Sequence, residues 1–325
     1  MSSVVPGLAF PPTPTPQPLW WRITRLLLST SIGRGILLLM LFRLYLWTQR
    51  QRKQRLENQL VLVTGGGNGI GRALCIALAA RGARVALWDI DAASLEETCA
   101  LIRAAHPSAQ LFPSRVDLSS RDEIVAAASS LQQRGGFVFC VVNNAGIVNG
   151  LPFLDLSAER VRKSMDVNCL AHFWINQAML PAMMERNSGH LVCVSSAAGL
   201  FGAPLMTDYA ASKFAAVGLH ESLRLEIKKR GKSGVSTTLV CPAHVDTRLF
   251  KGYRPGWLQR TLTPGELVLQ IVEAIENRTE MVLSPWPVAL AYWLRGCLPS
   301  WLEDRIKSAT GLSNSMDQWR GTNGS

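Results

Sequence analysis

The sequence predicts a doubly wound α/β domain, a Rossmann-type parallel sheet of about seven strands with helices on both faces. Three observations predict it. Seven short runs rich in Val and Leu recur between residues 59 and 285, the stretches between them carry helical periodicity, and the first run empties into a cluster of glycines. Continuous apolar strands alternating with helices call for a parallel sheet covered on both sides. No internal repeat breaks the alternation.

The first strand is QLVLVTG, 59–65, and the turn after it reads VTGGGNGIG, 63–71, before the helical run RALCIALAARG. Gly65, Gly69 and Gly71 are spaced G-x-x-x-G-x-G. Glycines allow a tight turn and let backbone N–H groups approach a pyrophosphate at the positive end of a helix. Gly65, Asn68, Gly69, Ile70 and Gly71 are therefore candidate dinucleotide-binding residues. Many loops are glycine-rich for turn geometry alone, but the position between strand and helix favours the cofactor reading. The second strand, RVALWDI, ends at Asp89, 18 residues after Gly71. An acid there accepts hydrogen bonds from ribose hydroxyls and repels a 2′-phosphate, and Asn68 rather than a basic residue precedes Gly69. Both features favour NAD, with NADP still possible. A competing use for Asp89 or Asp91 is to cap the next helix, and Asp91 is the better placed. The third strand, QLFPSRVD, ends at Asp117, a helix cap, an adenine-site contact, or both.

The fourth strand, FVFCVVNNAG, 137–146, leads to a long helical stretch that holds Asn168 in SMDVNCLAHF. A water bridge could open the backbone there, although a lone asparagine more often bonds locally. The fifth strand, GHLVCVSS, runs out at Ser196. The next helix opens TDYAASKFAAVG, 207–218, and its spacing puts Tyr209 and Lys213 on one face, about 6 Å apart. Its surroundings are too apolar for an exposed face. Lys213 therefore either reaches solvent along its stem or acts on the phenol. Ligands of such sheets sit at the carboxyl ends of the strands, so Ser196 and the first turns of this helix face one crevice. A nearby positive charge lowers the pKa of a phenol. A tyrosine tuned that way can take a proton from an alcohol or return one to a carbonyl, while Ser196 hydrogen-bonds the substrate oxygen. The sixth and seventh strands are VSTTLVCP and EMVLSP.

The ends are different. Residues 1–19 carry no charged side chain and include PPTPTPQP, an extended and disordered lead. Residues 20–58 hold WWRITRLLL and GILLLMLFRLYLW, ringed by basic residues. Residues 1–57 have eight Lys and Arg against Glu57, a net +7 of the chain's +11. Charge collaring a greasy segment points to a membrane surface and away from nucleic acid. One span over 26–47 would bury Arg34 near the bilayer centre, at a cost of about 2.5–3.5 kcal/mol. A hairpin or interfacial anchor avoids that cost and is favoured over a span. The basic cluster at 50–55 predicts that the domain faces the cytoplasm. Eight of ten tryptophans lie outside 59–249, and three prolines restrict the apolar stretch 281–302 to a short helix. Both ends are expected to touch one leaflet. The seven cysteines show neither disulfide nor zinc spacing, so core thiols are expected and no metal.

The motifs T-G-x-x-x-G-x-G at 64–71, N-N-A-G at 143–146, Asn168, Ser196 and Y-x-x-x-K at 209–213 together resemble the short-chain dehydrogenase/reductase superfamily. The likeness covers about residues 59–250. The stretches LWDI, HFWINQAMLPAMMERNSGHLVCVSSAAGL and DYAASKFAAVGLHESLRLEI are similar to the membrane-bound retinol dehydrogenase and 17-beta-hydroxysteroid dehydrogenase subfamily. The tail LSPW…LP…G…M…W.G is similar to that of retinal short-chain reductases. The resemblance implies Tyr209 as general acid/base, Lys213 on ribose and shifting the tyrosine, Ser196 orienting the carbonyl and Asn168 holding a proton-relay water. It implies Asn144, Ala145 and Gly146 on the adenosine side, and Pro242, Val245 and Thr247 flanking the nicotinamide. In place of the family's Pro-Gly after the sixth strand stands Pro242–Ala243, followed by His244, a candidate substrate contact. The implied function is NAD(P)-dependent interconversion of a lipophilic alcohol and its carbonyl, with a retinoid or steroid-like substrate. The implied home is the endoplasmic reticulum membrane or lipid droplet, as a possible homodimer. A ketoacyl or ketosphinganine-type reductase is the alternative, and a non-catalytic membrane scaffold the lesser one. Residues 59–250 are read as the cofactor and catalytic domain, and 251–325 as a substrate-side, membrane-associated extension.

Overall fold

The computed structural model of the chain describes Gly35, Met40 and residues 53–256, 260–295, 297–311 and 314–319. The expected lead at 1–19, and the anchor before Lys53 apart from those two residues, lie outside the described residues. Among the described residues no helix is long and apolar enough to cross a membrane.

Seven strands form one sheet in the order β3-β2-β1-β4-β5-β6-β7: β1 (Leu60–Thr64), β2 (Arg84–Asp89), β3 (Leu111–Arg115), β4 (Val138–Asn143), β5 (Gly189–Val194), β6 (Val235–Pro242) and β7 (Met281–Ser284). Every pairing is parallel. All seven sequence-predicted strands are present. In β1 successive side chains serve opposite faces, which explains its unbroken apolar run. Val61 and Val63 join a core with α1 (Gly69–Ala79), α2 (Ala92–Ala105) and α7 (Pro264–Asn277). Leu60 and Leu62 join the opposite core with α3 (Arg121–Gly135) and α5 (Ala171–Arg186). The chain changes direction across the sheet between β1 and β4, the place where such sheets bind ligands.

Three local features position the site. Helix α4 (Ala158–Met165) runs into α5 through a π-turn at Asp166–Leu170 that contains Asn168. The backbone expected to open at Asn168 is opened by this wider turn. Helix α6 (Thr207–Lys229) carries Tyr209 and Lys213 in its first two turns. Beyond β7 the one short helix expected is two, α8 (Trp286–Leu294) and α9 (Ser300–Ala309). Pro285 and Pro299 stand as their N-caps, because proline suits a helix start and not its interior. At the other edge Gln54 donates its N–H to Glu276 and Leu56 is buried, so packing begins before β1.

Six cysteines are buried free thiols and Cys297 is exposed. Three histidines are also buried. His190 on β5 meets the Thr238 hydroxyl at 2.7 Å, and His172 on α5 meets the Cys193 sulfur at 3.7 Å. His220 on α6 has no hydrogen-bond partner at Nε2. Burial holds His172 and His190 down to about 3 and His220 down to about 4. These folded values lie below the unfolded value of about 6.5. The contribution of the neutral rings is therefore complete above about pH 6.5 and is lost as pH falls towards the folded values. Urea unfolding should show stability about 2–4 kcal/mol lower at about pH 5.5 than at about pH 7.5. Equal stability at both would mean the rings accept protons in place.

Candidate active site

The cradle after β1 is built around close backbone approach. Gly65 has φ +68°, a conformation open to glycine. A Cβ on Gly71 would lie 1.9 Å from the Gly65 carbonyl oxygen, so α1 can start this near the strand only with glycine there. Ile70 leans on the apolar core of that face. Asn68 is the N-cap residue of α1 without a capping side-chain bond, because its amide donates to Ser94 at 2.9 Å. Gly69 is exposed, and the Thr247 methyl sits 3.4 Å from where its Cβ would be.

Asp89 faces this turn. Its carboxylate accepts the Gly67 N–H at 2.9 Å and the Asp91 N–H at 3.1 Å. Asp91 caps α2 through Ala93 and Ser94, so Asp89 is not the cap. Asp117 does not cap α3 either: Ser120 does, and Asp117 accepts the Ser119 N–H and hydroxyl at 2.9 and 2.7 Å. Burial pushes the Asp117 carboxyl up, but the Ser119 bonds outweigh it and hold the pKa below the usual value. A residue that sequence reasoning did not single out, Thr64, joins the two halves of the cradle. Its hydroxyl accepts the N–H groups of Asn144 and Ala145 at 2.9 and 3.1 Å, and its carbonyl accepts the Asn144 side-chain amide at 2.8 Å.

The four residues expected at the chemical end are brought together. Tyr209 and Lys213 lie on one face of α6, with Lys213 Nζ 5.7 Å from the Tyr209 ring centroid. Lys213 does not reach solvent; it is buried, and its ammonium donates to the Val194 carbonyl at 3.0 Å. A Cβ on Gly146 would stand 3.4 Å from both Lys213 Nζ and Asn168 Oδ1, which places the loop after β4 against the pair. The Asn168 side chain accepts the Ile147 N–H at 2.8 Å and donates to the Ile147 carbonyl at 2.9 Å. It also donates to Ser212 at 2.9 Å, and Ser212 donates to the Tyr209 carbonyl at 2.7 Å. Ser196 caps a short turn at Ala197–Gly199 by accepting the Ala198 N–H at 3.1 Å, and its hydroxyl is close enough to the Tyr209 phenol to lower that group's pKa.

The electrostatics differ from the sequence expectation in one respect. Burial pushes the Tyr209 phenol up to about 12, while the nearby Ser196 hydroxyl works downward without overcoming it. Burial also pulls the Lys213 ammonium below its usual value. Desolvation thus outweighs the charge effect that the spacing suggested.

Beyond Pro242, at the end of β6, the Pro-Ala departure keeps an ordered path. Ala243 donates to Ser284, His244 accepts from Leu262, and Val245 is buried beside Leu262 in a parallel bridge. His244 stacks on Tyr253 at 4.2 Å and meets Phe250 edge-on at 6.0 Å. Phe250 in turn meets Tyr209 edge-on at 5.9 Å. This aromatic cover was not legible beforehand, since its spacing follows no helical or strand period.

Comparisons with known proteins place the fold in a family. The short chain dehydrogenase family matches residues 59–256. The chain is 38% identical to epidermal retinol dehydrogenase 2 of Homo sapiens, over 80% of this chain and 84% of that one. It is 36% identical to retinol dehydrogenase 10 of Xenopus tropicalis, over 74% and 79% of the two chains. A short-chain dehydrogenase/reductase from Burkholderia phymatum, solved with NAD, superposes with a TM-score of 0.69 at 26% identity, covering 80% of this chain and 98% of that one. A metagenomic short-chain oxidoreductase solved with NADP gives 0.59 at 27% identity, over 71% and 96%. A glycine cradle at the switch point, an Asn168–Ser196–Tyr209–Lys213 cluster facing it and these likenesses lead to one conclusion: the chain belongs to the short-chain dehydrogenase/reductase family and is an oxidoreductase that binds NAD or NADP.

Proposed function

We propose that this oxidoreductase interconverts a lipophilic alcohol, of retinoid or steroid-like shape, and its carbonyl at a membrane surface, with NAD preferred. The observation that carries the reading is the Ser196–Tyr209–Lys213 cluster, enclosed on its open side by apolar and aromatic side chains. The two retinol dehydrogenases to which the chain is similar support the substrate class.

The nicotinamide cofactor, when bound, supplies or accepts the hydride. The residues present fit it. The Gly65–Gly71 turn leaves backbone where side chains would block approach, and Asp89 stands at the end of β2 as ribose acceptor. Asn144, Ala145 and Gly146 line the other side of the cradle, and Thr247 covers Gly69.

Tyr209 exchanges a proton with the substrate oxygen, and Ser196 hydrogen-bonds that oxygen. A phenol held protonated by burial is ready to give its proton to a carbonyl. Oxidation of an alcohol requires the reverse, and there the Lys213 charge assists. Asn168 holds the Ile147 backbone and, through Ser212, the turn that carries Tyr209. It is a positioning residue on this reading, and the π-turn provides the opened backbone for a relay water.

The membrane reading rests on α8 and α9. Trp286, Leu290 and Trp293, at helical spacing on one face, are 73%, 50% and 74% exposed. Trp301 on α9 is 62% exposed. Indoles favour the headgroup zone, and helices this short suit an interfacial position better than a span. Residues 1–58 add the basic, apolar segment.

Tyr209→Phe should lower kcat by about 10²–10⁴-fold while NADH fluorescence titration shows binding retained; full activity would remove Tyr209 from the chemistry. Asp89→Arg should move the ratio of kcat/KM values for NAD over NADP by about tenfold or more towards NADP. No movement would assign ribose reading elsewhere. With residues 1–52 removed, the chain should still float with phosphatidylcholine vesicles, and Ala at Trp286, Trp293 and Trp301 should cut the bound fraction about tenfold. Undiminished flotation would place the contact on another face.

A further inference from the structure

The last described stretch of the chain, 314–319, is not part of the sheet or its helices, yet it lies against the reacting end. Met316 is buried at 3% exposure in one cluster with Val148, Met206, Tyr209 and Ala210. Trp319 donates its indole N–H to the Leu249 carbonyl at 3.1 Å, and Ser315 accepts the Arg254 N–H at 2.9 Å. Both bonds fasten the segment that carries Phe250 and Tyr253, the aromatic cover of Tyr209. The other side of the indole rests on Gly150, in the loop after β4. A Cβ on Gly150 would fall 2.2 Å from Trp319 Cε3, so the ring occupies the space that any other residue there would fill. The two bonds and this contact tie together two walls that the chain leaves about a hundred residues apart.

We propose that residues 315–319 form a strap across the substrate site. Trp319 fastens the Leu249–Arg254 cover to the β4 loop, and Met316 supplies the apolar wall beside Tyr209 that sets which alcohols fit. Tyr209 is only 4% exposed beneath this cover. A substrate therefore reaches the phenol when cover and strap part, and Met316 lines the site once they close over it. The apolar lining of Met316, Met206 and Phe250 selects a hydrocarbon body behind the reacting oxygen. The tail motif M…W.G thereby gains a physical use, since its M and W are Met316 and Trp319. The substrate part of this inference rests on the alcohol–carbonyl reading above, and the fastening part does not.

The test uses the full chain and two independent readouts. Hydrogen exchange of the amides at 249–254 should quicken about tenfold in Trp319→Ala, which loses both a hydrogen bond and a buried ring. The strands β1 and β4 should exchange as in the wild type, and NADH binding should hold. Should the Ala variant fold poorly, Trp319→Phe keeps most of the packing and should quicken the same amides about two- to fivefold. Unchanged exchange at 249–254 in a folded variant overturns the strap. Met316→Trp should lower kcat/KM for all-trans-retinol about tenfold relative to 2-octanol by filling the wall. An unchanged ratio overturns the role of Met316. A wild-type enzyme that turns over neither alcohol would instead count against the proposed function, and the exchange result would still decide the fastening.

Discussion

The site depends on how β1 is joined to β4 where the sheet reverses its order. Two strands that emerge side by side must send their loops apart to leave a crevice, and the loops must nevertheless be fixed in relation to each other. The Thr64 hydroxyl does this by accepting two N–H groups from the β4 loop, at Asn144 and Ala145. Its own proton is directed to the Val142 carbonyl at 3.4 Å. Burying those amides unpaired would cost about 1–3 kcal/mol each, so the loop has one favoured course. That course brings Gly146 against Lys213 and Ile147 onto Asn168, and it faces the Gly65 turn on its other side. The glycine cradle and the Tyr209–Lys213 pair thus lie on two edges of one hydrogen-bonded loop.

The second constraint is the burial of Tyr209 and Lys213. A lysine and a tyrosine inside a protein are stabilised only where polar partners replace water. Lys213 receives the Val194 carbonyl, and the backbone around it is fixed through Ser195, which donates to the Lys213 carbonyl at 3.0 Å. Tyr209 has the Ser196 hydroxyl beside it. These partners all come from the carboxyl end of β5, so a single strand end supports both members of the pair. Desolvation raises the phenol and lowers the amine, so burial pushes both groups towards their neutral forms.

The period of the hydrophobic pattern and the turn residues at strand ends made the sheet and most of the site legible in the sequence. All seven strands, the glycine turn, Asp89, Asp91 as the α2 cap and the Tyr209–Lys213 face needed only local spacing. What stayed hidden is non-local. Thr64 lay inside a quoted motif, but nothing in its neighbourhood says that it binds a loop 80 residues on. Ser212 sits one position before Lys213 and gains its use only when α6 packs on the π-turn. The sign of the Tyr209 shift required the degree of burial, which spacing cannot supply. The split of the C-terminal stretch into α8 and α9 was half legible: its prolines announced breaks without saying that each would start a helix.

The C-terminal elements connect the outer surface with the reacting atoms more directly than the sheet does. Arg295, just past α8, donates to the Leu200 carbonyl and lies over the Phe214 ring at 5.3 Å and the Phe201 ring at 5.8 Å. Leu200 and Phe201 follow immediately on the turn that Ser196 caps, and Phe214 follows Lys213 on α6. One guanidinium therefore holds the helix with the exposed indoles against both the turn after Ser196 and helix α6, which carries Tyr209 and Lys213. Its hydrogen bond and two ring contacts leave α8 little freedom to swing as a separate arm. If the indoles face a bilayer, the same side chain fixes the angle at which the cleft meets it.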